Sequence, residues 1–446
     1  MSLTTALFSA TDAMRVFERS LEVAQTNVGN VNTPGYAKQR QEIISFRDGI
    51  QAGRVISSRD LYNESSVWQR QSGLGAANQQ IDTLSQVEQA LPIGENLGVA
   101  ASLSSFFASF TQLAVSPNST SARQVVLDKA NTLATDFNTT ANRLARSAQS
   151  SEQEIRSAVS RINGVLDDIA GFNKAVRLDG RVRQDGGVES RLYKSLESLS
   201  EYADFKALPN EDGSISVYLG GQTLGVIGDS SYQIHSVVAN NQVQILDSQG
   251  ADITGQFQSG RLGSLLNFRN KQFATYSADL DTLAQRVADQ VNTTLASGLD
   301  QSGAPPVQNL FNYSAVPPNG AASTLVAGPL APQDLAVAGA ASPGGNANAL
   351  TIADLAKQPS INGYTYTQFY GATSAKVGTA MAAAKADQNT ETQLLTQAQT
   401  IRANTSGVSL DEEAAYVLQI QRSYQAVSKL LTVISSMTDT VMGIIK

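Results

Sequence analysis

The chain of 446 residues has no cysteine, one histidine, one tryptophan and no run of basic residues. Without cysteine there can be no disulfide, no thiol nucleophile and no cysteine-based zinc or iron–sulfur centre. The single histidine, His235, falls in a predicted strand, where an imidazole is more often structural than catalytic. A metal site would have to be built from carboxylates alone, and the acidic pairs Asp167-Asp168 and Glu211-Asp212 read as solvated helix and turn residues. A net charge of −7 and no basic run leave no obvious footprint for phosphate neutralisation, so no nucleic-acid partner is expected. No apolar run approaches the ~18 residues needed to span a bilayer, so no membrane insertion is expected. Asp12, Arg15, Glu18 and Arg19 interrupt the apolar character of the first helix, so no cleavable signal is expected either. Gly220-Gly221-Gln222-Thr223-Leu224-Gly225 lacks both the spacing and the lysine of a phosphate cradle and reads as a hairpin turn. No cofactor and no enzymatic activity are expected. Few aromatics, 6% of residues, and 34 glycines suit a helical, modular protein better than a compact single-core enzyme.

What the chain does contain is a pair of matching apolar repeats at its two ends. Leu3, Leu7, Ala10, Met14, Phe17, Leu21, Ala24 and Val28 alternate four and three apart. Val417, Ile420, Tyr424, Val427, Leu431, Ile434, Val441 and Ile445 do the same, with Thr438 the one polar interruption. That spacing is the seam of a helix built to lie against another helix. One packing would bury both seams inside a single monomer. The faces opposite the seams are small or polar and offer little area for a thick core, so partners in neighbouring molecules are the better expectation.

Between the ends, the pattern predicts an N-terminal helix over residues 3–28, about 39 Å long. It closes on Asn27-Val28-Gly29-Asn30-Val31-Asn32-Thr33-Pro34-Gly35-Tyr36, in which Pro34-Gly35 suits the centre of a type II turn. Residues 37–46 read as extended and the stretch to 58 as irregular. Helices are predicted over 61–90, around Leu103–Leu113, over a very long region from Val126 to Ile169, around Leu192–Leu199, over 262–295 and over 367–403. The polar patch Arg146 to Glu154 is expected to bend or loosen the longest of these. Four short strands, 215–219, 223–227, 232–238 and 243–246, are separated by Gly, Asn and Asp. Residues 298–348 carry seven prolines among Ala, Gly and Ser and read as a surface loop, with one short strand near 324–326. Ser409-Leu410-Asp411-Glu412 has the form of a capping box for a terminal helix about 54 Å long.

The expected fold class is α+β, mainly α: a long helical bundle built from the N- and C-terminal segments, with a small inserted β domain. The expected divisions are an N-terminal assembly helix (1–35), a helical bundle with an extended segment near 37–58 (36–180) and a small β-rich insertion (181–259). A return to the bundle with the Pro/Ala-rich loop 298–348 (260–405) and a C-terminal assembly helix (406–446) complete them.

The decapeptide from Asn27 to Tyr36 resembles the N-terminal signature of the axial proteins of the bacterial flagellum, although Ala37-Lys38 stands where that family usually has Ser-Arg. Ser406-Gly407-Val408-Ser409-Leu410-Asp411-Glu412-Glu413-Ala414-Ala415 resembles its C-terminal counterpart, with Ser409 replacing the more usual Asn. Interior segments narrow the resemblance to the hook-associated protein 1 family. They are Leu103 to Pro117, Arg123 to Leu133, Gly220 to Leu224 and Gly260 to Arg269. The Pro/Ala-rich region is too short for the outer domain that some relatives carry.

The resemblance implies a secreted structural subunit of the hook–filament junction, with paired terminal helices lining the central channel. It implies as partners other copies in a ring, the hook protein, a second junction protein adjoining the filament, an export chaperone and the flagellar type III export apparatus. Asn27, Asn30, Asn32, Pro34, Gly35 and Tyr36 are the candidate motif residues, the two apolar seams the candidate assembly interface, and Ser409, Asp411 and Glu412 the candidate helix cap. Another axial protein of hook or distal rod is the alternative. A secreted adhesin or peptidoglycan hydrolase is a more distant one.

Overall fold

The computed structural model describes residues 2–33, 35–47, 49–92, 97–180, 182, 185–314 and 320–444. It is mainly α, with a small β region. Helix α1 (Leu3–Gly29) leads into a hairpin, β1 (Gln39–Phe46) and β2 (Gly49–Ser57). Four helices follow: α2 (Leu61–Ala90), α3 (Gly98–Val115), α4 (Thr120–Leu178) and α5 (Gly186–Tyr202). Strands β3 (Phe205–Pro209), β4 (Ile215–Leu219), β5 (Thr223–Ile227) and β6 (Ser230–Ser231) form an antiparallel sheet in sequence order. A separate hairpin joins β7 (His235–Ala239) to β8 (Gln242–Leu246). Then come α6 (Gly260–Asn267), a π-turn (Phe268–Gln272) and α7 (Phe273–Ala296). The next stretch holds β9 (Gly298–Leu299), β10 (Phe311–Asn312), α8 (Ala321–Thr324), β11 (Val326–Ala327) and β12 (Ala338–Gly339). Three helices end the chain: α9 (Ala347–Leu355), α10 (Tyr366–Ser406) and α11 (Leu410–Ile444).

Two apolar cores share α4, whose 59 residues extend about 88 Å. The first half of α4 contributes Val126, Leu133 and Phe137 to a core with α2, α3, α7, α9 and α10, in which Phe106, Phe107, Phe110 and Tyr366 are buried. The second half contributes Ile155, Ile162, Leu166 and Ile169 to a core with α5, α6 and the strands, which contains Trp68. The helix runs unbroken through the polar patch at 146–154. Ser147 and Ser151 return their hydroxyls to the carbonyls of Arg143 and Ser147 one turn back, so they are buried without breaking the ladder.

The small sheets are sealed by helix asparagines. An Asn side chain can donate to a carbonyl and accept from the amide of the same residue, as a neighbouring strand would. Asn173 of α4 does this with Ile215 (2.9 and 2.8 Å), Asn163 with Ile234, Asn270 with Val243 and Asn292 with Phe311. Strand-edge groups that would otherwise be left open are thereby paired and covered.

Several expectations need correction. The stretch to residue 58, read as irregular, is the second arm of a hairpin, with a bulge opposite Gln41 to Ile43. Its alternation is obscured because Gly53 stands in the bulge, close against the Glu42 side chain. The described residues of 298–348 are not a surface loop. Leu310, Phe311, Ala322, Leu325, Leu335 and Val337 are buried in the first core. Arg123 holds the turn at 332–335 by donating to the carbonyls of Pro332 and Leu335. Pro329 follows β11 by two residues and Pro332 begins a short 3-10 turn, and neither keeps the segment out of the interior. A strand at 205–209 was not foreseen, and the strand placed near 324–326 starts at Val326. Helix α3 is long and apolar enough to cross a membrane, contrary to the sequence reading, but it is a core helix here with its phenylalanines inside.

Trp68, the single tryptophan, stacks near Tyr193 and Phe205 and so reports on the second core. Replacing Asn173 by Asp keeps the acceptor for Ile215 N–H but removes the donor to Ile215 O and Gly228 O. Trp68 fluorescence during urea unfolding should show a loss of about 2 kcal/mol. An unchanged midpoint would contradict this role for the amide.

Candidate assembly site at the joined termini

Helices α1 and α11 lie against each other along their lengths within one chain. The two seams therefore meet intramolecularly, where the sequence reading placed their partners in neighbouring molecules. Matching stripes on one chain meet at high effective concentration, which favours this pairing. Ile420 and Ile434 are buried in it, with Ala10 and Ala24 on the opposing helix. Leu3, Leu7, Met14, Phe17, Leu21, Val417, Tyr424, Val427 and Leu431 are half-buried. Val28 and Val441 are exposed, at 41% and 44%, because each lies near an end of the helix pair where the partner has passed. Ile445 lies outside the described residues.

At the inner end of this pair, the two terminal motifs form one site. Asn27, only 1% exposed, uses its whole amide. Its nitrogen donates to Gln39 O at 2.9 Å and to Glu413 Oε2 at 3.2 Å. Its oxygen accepts from Gln39 N at 2.9 Å and from the Tyr36 hydroxyl at 3.0 Å. One side chain thus ties α1 to the turn, to β1 and to α11. Tyr36 donates as any protonated phenol does, and burial, then Glu189, Glu413 and Asp185, push that phenol further up to about 12.

Lys38 meets Glu412 and Glu413, each at 3.0 Å. Burial lowers the Lys38 ammonium, but the bonds and charges of the two glutamates outweigh this and hold it above its ordinary value. Ser409 Oγ accepts from Glu412 N at 3.5 Å, while the Glu412 carboxylate reaches Lys38. Ser409, Asp411 and Glu412 are exposed.

Two described features of the turn between helix and strand accord with the type expected. Tyr36 N donates to Thr33 O at 3.1 Å and Gly35 has φ +77°, a conformation that suits glycine. Pro34 lies outside the described residues. Asn30 caps α1, its amide donating to Thr26 O at 2.9 Å, and Asn32 is exposed.

A second layer joins this site to the bundle. Arg59, just before α2, donates to Glu64 Oε1 at 2.5 Å and to Gly35 O at 2.7 Å, and its Nε lies 3.5 Å from Glu189. Its guanidinium also sits 3.8 Å from the centre of the Tyr193 ring. Arg402, near the end of α10, bridges Glu64 and Glu197 at 3.3 and 3.1 Å. Glu64 is 1% exposed, and a buried carboxylate persists only with such partners. The backbone closes the same joint: Lys38 N donates to Ser406 O and Ser58 N to Lys38 O, both at 2.8 Å. A cleft of about 650 Å³ opens beside the cluster, lined in part by Thr33, Tyr36, Lys194, Glu197 and Gln399. Arg59, Glu64, Glu189 and Arg402 were not singled out from the sequence, whereas Lys38 and Glu413 stand beside or within the two terminal motifs. The one available signal was Glu64, an acid on what becomes the inner face of α2.

Burial raises the Glu189 carboxyl above its usual range against the pull of Arg59 and the Ser57 hydroxyl, and Glu64 adds to the rise. The folded state therefore binds this proton more tightly than the unfolded state. Its contribution is complete below the ordinary glutamate range and is lost as pH rises through the raised value. The stability of the unmodified chain relative to Glu189→Gln should fall as pH is raised from about 4 through 7. A difference that rises with pH would contradict the assignment.

The comparisons with known proteins fall on the same elements. Residues 84–311, more than half the chain, match the model of the "Flagellar hook-associated protein FlgK helical domain". Residues 402–444 match the "Flagellar basal body rod FlgEFG protein C-terminal" model. Flagellar hook-associated protein 1 of Bacillus subtilis is 26% identical over 500 residues, covering 98% of this chain and 97% of that protein. The protein of the same name from Salmonella typhimurium is 23% identical over 66% of this chain, which spans 57% of that relative. The solved structure of the flagellar hook junction protein FlgK from Burkholderia pseudomallei is similar in fold. Its TM-score is 0.69 at 16% identity, covering 77% of this chain and all of that one.

Proposed function

The chain belongs to the family of flagellar hook-associated protein FlgK and has a structural role in the bacterial flagellum; from that premise we propose that it is a subunit of the junction between hook and filament. The observation that carries the proposal is the convergence of both termini on Asn27. A signature shared along the flagellar axis at one end of the chain and its counterpart at the other form a single site, with α1 and α11 leaving it as a pair. The match of α11 to the C-terminal model of rod proteins supports an axial position for this pair. The interior match to the FlgK helical domain favours the junction over hook or rod.

On this reading, the helix pair enters the axial core beside other copies arranged in a ring, the bundle faces outward, and the hook protein and a second junction protein bind at the two ends. Export proceeds through the flagellar type III apparatus with a chaperone on α11. The role is structural and not enzymatic. Glu64, Glu189 and Glu197 are each held by an arginine, which suits the joining of elements better than an acid–base pair in a cleft. Assembly buries the apolar side chains that the helix pair leaves half-covered, and each large one gains roughly 1 kcal/mol.

Immunogold microscopy of isolated flagella with antibody to residues 180–260 tests the placement. A narrow band where hook meets filament is expected, and label along hook or rod would contradict it. With Leu431→Asp and Ile434→Asp together, the band should be lost while Trp68 fluorescence still reports a folded second core.

A further inference from the structure

The long helices of the bundle all change character at one level, between the two apolar cores. Helix α2 gives Trp68 to the second core and Leu84 to the first, and its buried residues from Ser72 to Thr83 are Ser72, Gly75, Ala77, Gln79 and Thr83. Helix α4 buries only Ser147, Ala148 and Ser151 between Leu144 and Ile155. Helix α10 buries no residue between Ala384 and Leu395, after which Leu395 and Ala398 pack on Val67. Where α6 runs on through the π-turn into α7, Leu266 belongs to the second core and Phe268 to the first, and Arg269 is the one buried residue between Phe268 and Tyr276.

Side-chain contacts place these stretches side by side. Gln79 of α2 donates to Glu154 of α4 at 2.6 Å and accepts from Arg261 of α6 at 3.1 Å, and Arg261 also reaches Glu201 at 3.2 Å. Gln388 of α10 donates to Asn78 of α2 at 2.7 Å. Arg269 of the π-turn donates to Glu152 of α4 at 2.8 Å. The bundle thus has a polar waist. Three further features fall on it. The π-turn interrupts the regular ladder of its helix, a place where helices kink. Ser147 and Ser151 bond to carbonyls one turn back, which weakens a helix slightly and favours bending. Gln272 Oε1 is buried with no hydrogen-bond partner among the described residues, and a cleft of about 280 Å³ opens between α2 and the π-turn beside Gln80, Asn270 and Lys271.

We propose that the waist is a hinge, on which the half of the bundle built on the first core tilts against the half built on the second. The second half carries the terminal module through Glu64, Glu197 and Arg402, so the hinge sets the angle between that module and the far end of the bundle. A close-packed apolar core resists such a motion, because any relative shift of its side chains opens voids. A polar section yields where water can replace a parted hydrogen bond. Water reaches this one, since the side chains of Arg261 and Glu201 are 35% and 37% exposed. Helix α4 runs unbroken through the waist and keeps the two halves attached while they tilt. The hinge is a property of the bundle alone and does not depend on where in the flagellum the chain sits.

Hydrogen exchange of the full chain tests the hinge. Amides 147–154 lie in the middle of a 59-residue helix, far from frayed ends, and a rigid bundle would protect them as well as the cores on either side. They should exchange at least tenfold faster than amides 126–137 and 158–169. Equal protection would overturn the hinge. A second measurement uses the natural absence of cysteine. Nitroxide labels on Thr135→Cys in the first half and Ser248→Cys in the second, both exposed positions, report the distance between the halves by dipolar EPR. The natural waist should give a broad distribution, and Gln79→Leu with Glu154→Leu, which make the waist apolar, should cut its width at least twofold. A distribution already narrow with the natural waist, or equally broad after the substitutions in a chain whose Trp68 fluorescence shows it folded, would contradict the proposal. Should the substituted chain fail to fold, the exchange measurement still decides.

Discussion

The Asn27 amide is the interaction on which the terminal architecture depends. Its two polar atoms meet four groups from three places in the chain, and one of these, Glu413, is 386 residues away. A shorter side chain could not reach β1 and α11 together, and an aspartate could not donate to Gln39 O. Since α1 and α11 leave this point in the same direction, their register, and hence which apolar residues face inward, is fixed where the amide is satisfied. The ion pairs of Lys38 with Glu412 and Glu413 reinforce that register. Arg59, Glu64 and Arg402 carry it on to α2 and α10.

The same chemistry recurs at Asn163, Asn173, Asn270 and Asn292, each of which pairs with a residue in or next to a strand as a strand neighbour would. A chain without cysteine has no covalent means of fixing small sheets to long helices. Amide pairs serve instead, and they need no oxidising environment and form only when helix and strand have docked. The short sheets gain stability from helices that would otherwise offer them only an apolar surface, and two-stranded pieces are marginal alone.

Much of this was legible locally. The helices at 3–29, 61–90 and 366–406 follow from apolar period and from punctuation by Pro, Gly and Ser, which act over a few residues. The mainly α class and the family resemblance were readable in the same way, the latter from two motifs at opposite ends. What escaped was decided over distance. The second hairpin arm was hidden by a bulge at Gly53, and the burial of Leu310, Phe311, Ala322, Leu325, Leu335 and Val337 depends on Arg123 and on the faces of α4 and α7. Of the joint at the termini, Asn27 and Tyr36 stood inside a visible motif. Arg59, Glu64, Glu189 and Arg402 are scattered through three other segments, and nothing in their spacing shows that they meet.

The most direct test of this architecture is the hydrogen exchange of the Gln39 amide, which donates to Asn27 Oδ1 inside the joint. In the full chain this amide should be strongly protected. In Asn27→Ala it should exchange rapidly, together with the first turn of α11, while amides at the far end of α2 keep their protection. If Gln39 exchanges freely in the unmodified chain, or stays protected without the Asn27 side chain, then the two termini are not held together at this point.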